Sequence, residues 1–171
     1  MKVGVIVGRF QAQRLTDGHK ELIRRVLSRS DKVIIFVGVY PRTPDFKNPL
    51  PYSIRKDMIW EFLLLSNSRP NVEVCPFLDV FNLPLWNDNL TKKVESMTSP
   101  DDSVVLYGSR DSFIFKYDGK YETCEIEANG DFSATELRQQ IVDDFNKTVV
   151  SEEVRKGIIF GVMYASGKIE A

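Results

Sequence analysis

The chain has 171 residues, 43% hydrophobic and 27% charged, with a net charge of −1. That length suggests one domain with a sizeable core, and the near-zero charge leaves no global field to hold a nucleic acid or an anionic membrane. Cys75 and Cys124 stand far apart in no metal or redox spacing, no apolar run of about 18 residues offers a spanning helix, and no signal peptide precedes the first strand pattern, so a cytoplasmic protein is expected.

In chain order, "VGVIVG" (3–8) is a short valine-rich run, the pattern of a strand buried on both faces. "GHKELIRRVLSRS" then places Leu22, Ile23, Val26 and Leu27 at helical spacing. "KVIIFVGV" (32–39) is a second buried strand, and "YPRTPDFKNPLPY" (40–52), with four prolines, is a loop. A helix over "SIRKDMIWEFLLLS", a strand over "NVEVCPFL" (71–78) and a helix over "LWNDNLTKKVESM" follow. "DSVVLYGS" (102–109) reads as a fourth strand and "KYETCEIE" (120–127) as a fifth. "SATELRQQIVDDF" opens with a capping box, Ser133 and Glu136, and a last helix spans "SEEVRKGIIFGVMYAS". Strand and helix alternate throughout. The expected fold class is therefore α/β, a doubly wound parallel five-stranded sheet with helices on both faces. The expected organisation is one domain over 1–146 with a helical extension over 147–171.

Ligands of such sheets sit at the carboxyl ends of the strands, near the point where the strand order reverses. The loops at that edge share a basic character. Arg9, Gln11, Arg14, Thr16 and His19 follow the first strand; Arg42, Lys47 and Arg55 follow the second. Gly108-Ser109-Arg110 follows the fourth, and Ser133, Thr135 and Arg138 follow the fifth. Convergence of these groups, with helix N-termini adding backbone donors, predicts a polyphosphate site in an otherwise neutral protein. His19, the one histidine, is either a structural cap or a donor aimed at a phosphate. No cysteine or second histidine stands near it for zinc, and no G-x-S-x-G elbow supports a triad.

These residues resemble the HxGH-type nucleotidylyltransferases, and within them the NMN adenylyltransferases whose first motif reads GRFQP-x-H-x-GH. "GRFQ" is intact at Gly8 to Gln11, and "TDGH", Thr16 to His19, matches the [H/T]-x-G-H ending. Ala12 replaces the proline, and the connection is two residues longer, so Thr16, Arg14 or Gln13 takes the place of the first histidine. "PRTPDFKNPLPYSIRKDMI" is similar to the family's PRT-x-KNPW-x-x-x-ER-x-x-MI, "FSATELRQQI" to ISSTxIR, and "VVLYGSRDSF" to VALxGHxKDxS.

The resemblance implies a Rossmann-like nucleotidylyltransferase fold. It implies adenylyl transfer from ATP to a phosphorylated mononucleotide such as NMN or nicotinate mononucleotide, with magnesium carried by the ATP. Catalytic roles fall to His19, Thr16 and Arg138. ATP and phosphate contacts fall to Gly8, Arg9, Phe10, Gln11, Gly18, Gly108, Ser133 and Thr135. Acceptor contacts fall to Arg42, Lys47, Asn48, Arg55, Asp79 and Trp86. Trp86 is either the ring that stacks on nicotinamide or a core aromatic; in a second register Thr91 takes the stacking position. Another acceptor, CTP in place of ATP, or a weakly catalytic nucleotide-binding module are the alternatives. Association of copies is compatible with the resemblance. "VRKGIIFGVMYASG" is similar to the segment leading into the Nudix domain of bifunctional relatives, and the lack of a Nudix box before Ala171 predicts no pyrophosphohydrolase activity.

Overall fold

A computed structural model describes residues 1–12, 14–40, 50–66, 71–109 and 112–127. Five strands form one sheet: β1 (Lys2–Gly8), β2 (Lys32–Val39), β3 (Val72–Leu78), β4 (Ser103–Gly108) and β5 (Glu122–Glu125). Their order is β3-β2-β1-β4-β5 and every pairing is parallel. Parallel neighbours need crossovers, and three helices supply them: α1 (Asp17–Leu27), α2 (Tyr52–Leu65) and α3 (Leu83–Glu95). A single 3₁₀ turn, Phe113–Lys116, lies between β4 and β5. The α/β doubly wound expectation is met, and the five strands coincide with the sequence runs to within two residues at each end.

The period of two along each strand divides the core between the faces. Ile6, Val33, Ile35, Val37 and Tyr107 point to the face covered by α1 and α2, where Leu22, Ile23, Val26, Ile59 and Leu63 meet them. Val3, Val5, Val7, Ile34, Phe36 and Leu106 point to the opposite face, where Trp86, Leu90 and Val94 of α3 meet them. The buried positions of α3 at 86, 90 and 94 form one stripe at the i, i+4 spacing. Helix α1 lies close on β1: a Cβ added at Gly4 would stand 2.5 Å from Val26 Cγ1 and 2.4 Å from Ser30 Oγ. Among the described residues, no helix is long and apolar enough to cross a membrane.

All three helix starts differ from the sequence reading by two residues or fewer, and at α1 and α3 a side-chain cap sets the start. Helix α1 begins at Asp17 because Thr16 caps it. Helix α3 begins at Leu83 because the Asn82 side chain accepts from the Leu85 amide, with Pro84 in the first turn where no amide is needed. The expected helices over 133–145 and 151–166, and the expected boundary at 146, lie outside the described residues.

Candidate active site

The strand order reverses between β1 and β4, so the crevice lies at their carboxyl ends. The turn leaving β1 is built tightly. Phe10 adopts φ 51, the left-handed region that few side chains enter. The Ala12 amide donates to the Phe10 carbonyl at 3.0 Å, closing a three-residue turn. Gly8 makes room for this fold-back: a Cβ there would stand 3.0 Å from Phe10 Cε2. The Phe10 ring is buried and meets the His19 imidazole with centroids 5.1 Å apart.

The chain then enters α1 through a reciprocal cap. The His19 amide donates to Thr16 Oγ1 at 3.2 Å, and the Thr16 amide donates to His19 Nδ1 at 3.2 Å. Glutamate or glutamine usually fills this third helical position; here the imidazole does. Burial lowers the His19 pKa from the ordinary 6.5 to about 4, so the ring is neutral at pH 7. Gly18 sits beside it in the first turn, where helical amides have no partner within the helix.

Helix α2 is stitched to the same turn. Arg55 is 2% exposed, and its guanidinium donates to the carbonyls of Arg9 (2.7 Å), Gly38 (2.7 Å) and Pro51 (3.3 Å). Burial pushes its pKa down to about 10, which leaves it a cation at neutral pH. Gln11 pairs with the backbone of Leu50: Nε2 donates to the Leu50 carbonyl at 3.2 Å, and Oε1 accepts from the Leu50 amide at 2.9 Å. Arg9 runs over Gly38, where an added Cβ would stand 3.5 Å from Arg9 Cγ, and reaches Asp79. Its Nε and NH2 lie 3.0 and 2.8 Å from Asp79 Oδ2, and Asp79 is itself tied to β2 through its amide to the Val39 carbonyl.

Gly8, Arg9, Phe10, Gln11, Thr16, Gly18, His19, Arg55 and Asp79 therefore gather around the carboxyl ends of β1 and β2, several in roles other than ligand contact. Gln11 and Arg55 spend their donors on backbone, and Arg9 and Asp79 are paired with each other. Gly108 closes the end of β4. A Cβ there would stand 2.3 Å from Ser112 Oγ and 2.8 Å from Ile114 Cδ1, so the glycine is needed by the following turn. Trp86 is 7% exposed, edge-on to Phe77 at 5.3 Å and tilted against Phe113 at 5.3 Å, which places it among the core aromatics. Arg42, Lys47, Asn48, Ser133, Thr135 and Arg138 lie outside the described residues, as do Gln13, Arg110 and Asp111.

No protein-family model matches the chain. A nicotinamide-nucleotide adenylyltransferase of Picrophilus torridus is 31% identical over 139 residues, covering 80% of this chain and 78% of that one. The chain belongs to the nicotinamide-nucleotide adenylyltransferase family. It is an enzyme, a nucleotidyltransferase. The adenylyltransferase of Thermococcus onnurineus is 29% identical over 143 residues, 83% of this chain and 73% of that one. A crystal structure of a bifunctional NMN adenylyltransferase/ADP ribose pyrophosphatase from Francisella tularensis, complexed with AMP and a manganese ion, has the same fold, with a TM-score of 0.72 at 24% identity over 98% of this chain. The chain spans about half of that bifunctional protein, 52%.

Several contacts that shape this edge of the sheet carry little sequence signal. The backbone partners of Arg55 and Gln11 are carbonyls and amides, which no residue letter marks. Gly38 was detectable as the glycine that interrupts the valines at the end of β2. Asn87, 5% exposed on α3, donates to Asp118, and among the described residues its Oδ1 and the Ser112 hydroxyl are buried with no hydrogen-bond partner. Nothing in the sequence patterns marks either.

Proposed function

We propose that the crevice at the carboxyl ends of β1, β2 and β4 transfers the adenylyl group of ATP to the phosphate of nicotinamide mononucleotide. A phosphate oxygen of the acceptor bonds to the α-phosphorus as the bond to the bridging oxygen breaks, and pyrophosphate leaves. The observation that carries this reading is the single imidazole, half-buried and neutral, at the N-terminus of the helix that follows β1. Such a group supplies a placed donor to phosphate oxygens whose charge grows in the transition state. The amides of Asp17 and Gly18, which have no partner within the helix, and the dipole of α1 favour the same anion. The buried Arg55 cation, bonded among the described residues to neutral carbonyls, adds positive potential beneath the turn. The rest of the catalysis is positioning of the two phosphates.

By the family resemblance, Ser133, Thr135 and Arg138 take the β- and γ-phosphates, and Arg42, Lys47 and Asn48 take the acceptor. Arg9 engages substrate phosphate by exchanging Asp79 for it, an inexpensive exchange because the Arg9 side chain is 56% exposed. Among the described residues no group of three or more His, Cys, Asp or Glu is placed to hold a metal. The Francisella tularensis structure, complexed with AMP and a manganese ion, supports a divalent cation, which in this chain would be a magnesium ion carried by the ATP. Such a cation would supply neutralisation of triphosphate charge.

The test is a panel: ATP or CTP, each with nicotinamide mononucleotide, nicotinate mononucleotide or phosphopantetheine, followed by pyrophosphate release. ATP with nicotinamide mononucleotide should give the highest kcat/KM. Turnover confined to phosphopantetheine or to CTP would overturn the reading.

A further inference from the structure

We infer that Thr16 and Phe10 are positioning residues that fix His19 as the tautomer carrying its proton on Nε2, so that the donor to phosphate is Nε2–H. This rests on the reading of His19 as that donor and names the atom and the groups that select it. A neutral imidazole has one N–H and one accepting nitrogen, and the partner of one nitrogen decides the state of the other. Here the partner is an amide that can only donate. The Thr16 N–H points at Nδ1 from 3.2 Å, so Nδ1 carries no proton. Burial keeps the ring from taking a second proton near neutrality. The remaining proton is on Nε2.

The rest of the first motif holds the ring in place. His19 is anchored from below by its own amide on Thr16 Oγ1. Phe10, 3% exposed, packs against the imidazole at a 48° interplanar angle. Phe10 can reach that position because its backbone turns left-handed and because Gly8 presents no Cβ to its ring. Glycine, phenylalanine, threonine and histidine thus form one unit: the glycine admits the phenyl ring, the phenyl ring steadies the imidazole, and the cap selects its tautomer. A neutral N–H donor of this kind polarises an oxygen without requiring a buried imidazolium.

The chain has one histidine, so its imidazole gives one spin system. Long-range ¹H–¹⁵N correlation on histidine-labelled protein at pH 7 should show Nδ1 in the unprotonated range and Nε2 in the protonated range. An Nδ1–H imidazole, or averaged nitrogens, would overturn the inference. Three variants separate the parts. Thr16→Val keeps the amide and should keep the tautomer. Thr16→Pro deletes the amide at φ −67, which proline adopts, and should release the ring to a tautomer mixture. Phe10→Leu should bring the histidine titration back toward the ordinary range and lower kcat about tenfold, with KM for ATP moving less. An unchanged spectrum in folded Thr16→Pro would assign the tautomer to something other than the cap. The spectrum needs no turnover. Nε2–H in a protein that makes no dinucleotide would therefore sink the proposed function alone, and dinucleotide synthesis with Nδ1–H would sink this inference alone.

Discussion

Arg55 shows how far a single residue type can mislead about its use. A basic residue beside a phosphate site suggests a ligand contact, and the family motif places it with the acceptor. In the structure it is a buried clamp joining the ends of β1 and β2 to the start of α2 through three carbonyls. Arg55→Met would leave those carbonyls without their donor, costing about 2–4 kcal/mol. Arg55→Lys should recover only part of that loss, because an ammonium has no second nitrogen to reach the Pro51 carbonyl while the first bridges the two strand ends. Urea unfolding of the three proteins checks the order. What the sequence made legible at this scale was position: His19, Arg9 and Arg55 were placed correctly at the carboxyl edge. Partners were not legible, because backbone carbonyls have no letter. Trp86 was ambiguous for a related reason, since a tryptophan on the stripe of a helix fits a core equally well, and its contacts with Phe77 and Phe113 are core contacts.

Among the elements, α1 joins local helix chemistry to the site. Its cap uses an imidazole where glutamate or glutamine is usual, which makes the helix start sensitive to mild acid. The folded His19 pKa is about 4 against an ordinary 6.5, with burial as its cause. Between those values the unfolded chain binds the extra proton, so stability rises with pH across that window. The contribution is complete above pH 6.5 and is lost as pH falls toward 4, with an amplitude of at most about 3 kcal/mol. His19→Gln keeps an acceptor at the third helical position and removes the titration. Urea midpoints at pH 7.5, 5.5 and 4 should therefore fall more steeply for the wild type than for His19→Gln; parallel slopes would contradict the half-buried, neutral cap. The cap itself was only half legible. Thr16 was visible as a family position, whereas its pairing with His19 was hidden because a histidine does not read as a capping-box partner. The strands were the most legible elements, because valine and isoleucine runs in a parallel sheet are buried on both faces and scarcely interrupted.

For the whole molecule, alternation of strands and helices was enough to predict the doubly wound sheet, and the sheet's reversal between β1 and β4 locates the crevice. Net charge near zero is consistent with the proposed site, because a few placed donors at one edge would hold an anion without a field over the whole surface. The most direct test compares wild type with His19→Ala in the presence of ATP, magnesium and nicotinamide mononucleotide, following dinucleotide and pyrophosphate together. Wild type should form the two in equal amounts, and a folded His19→Ala should lose about 10²- to 10³-fold in kcat, the scale of one removed transition-state donor. Absence of dinucleotide from the wild type, or an undiminished rate from His19→Ala, would contradict the account.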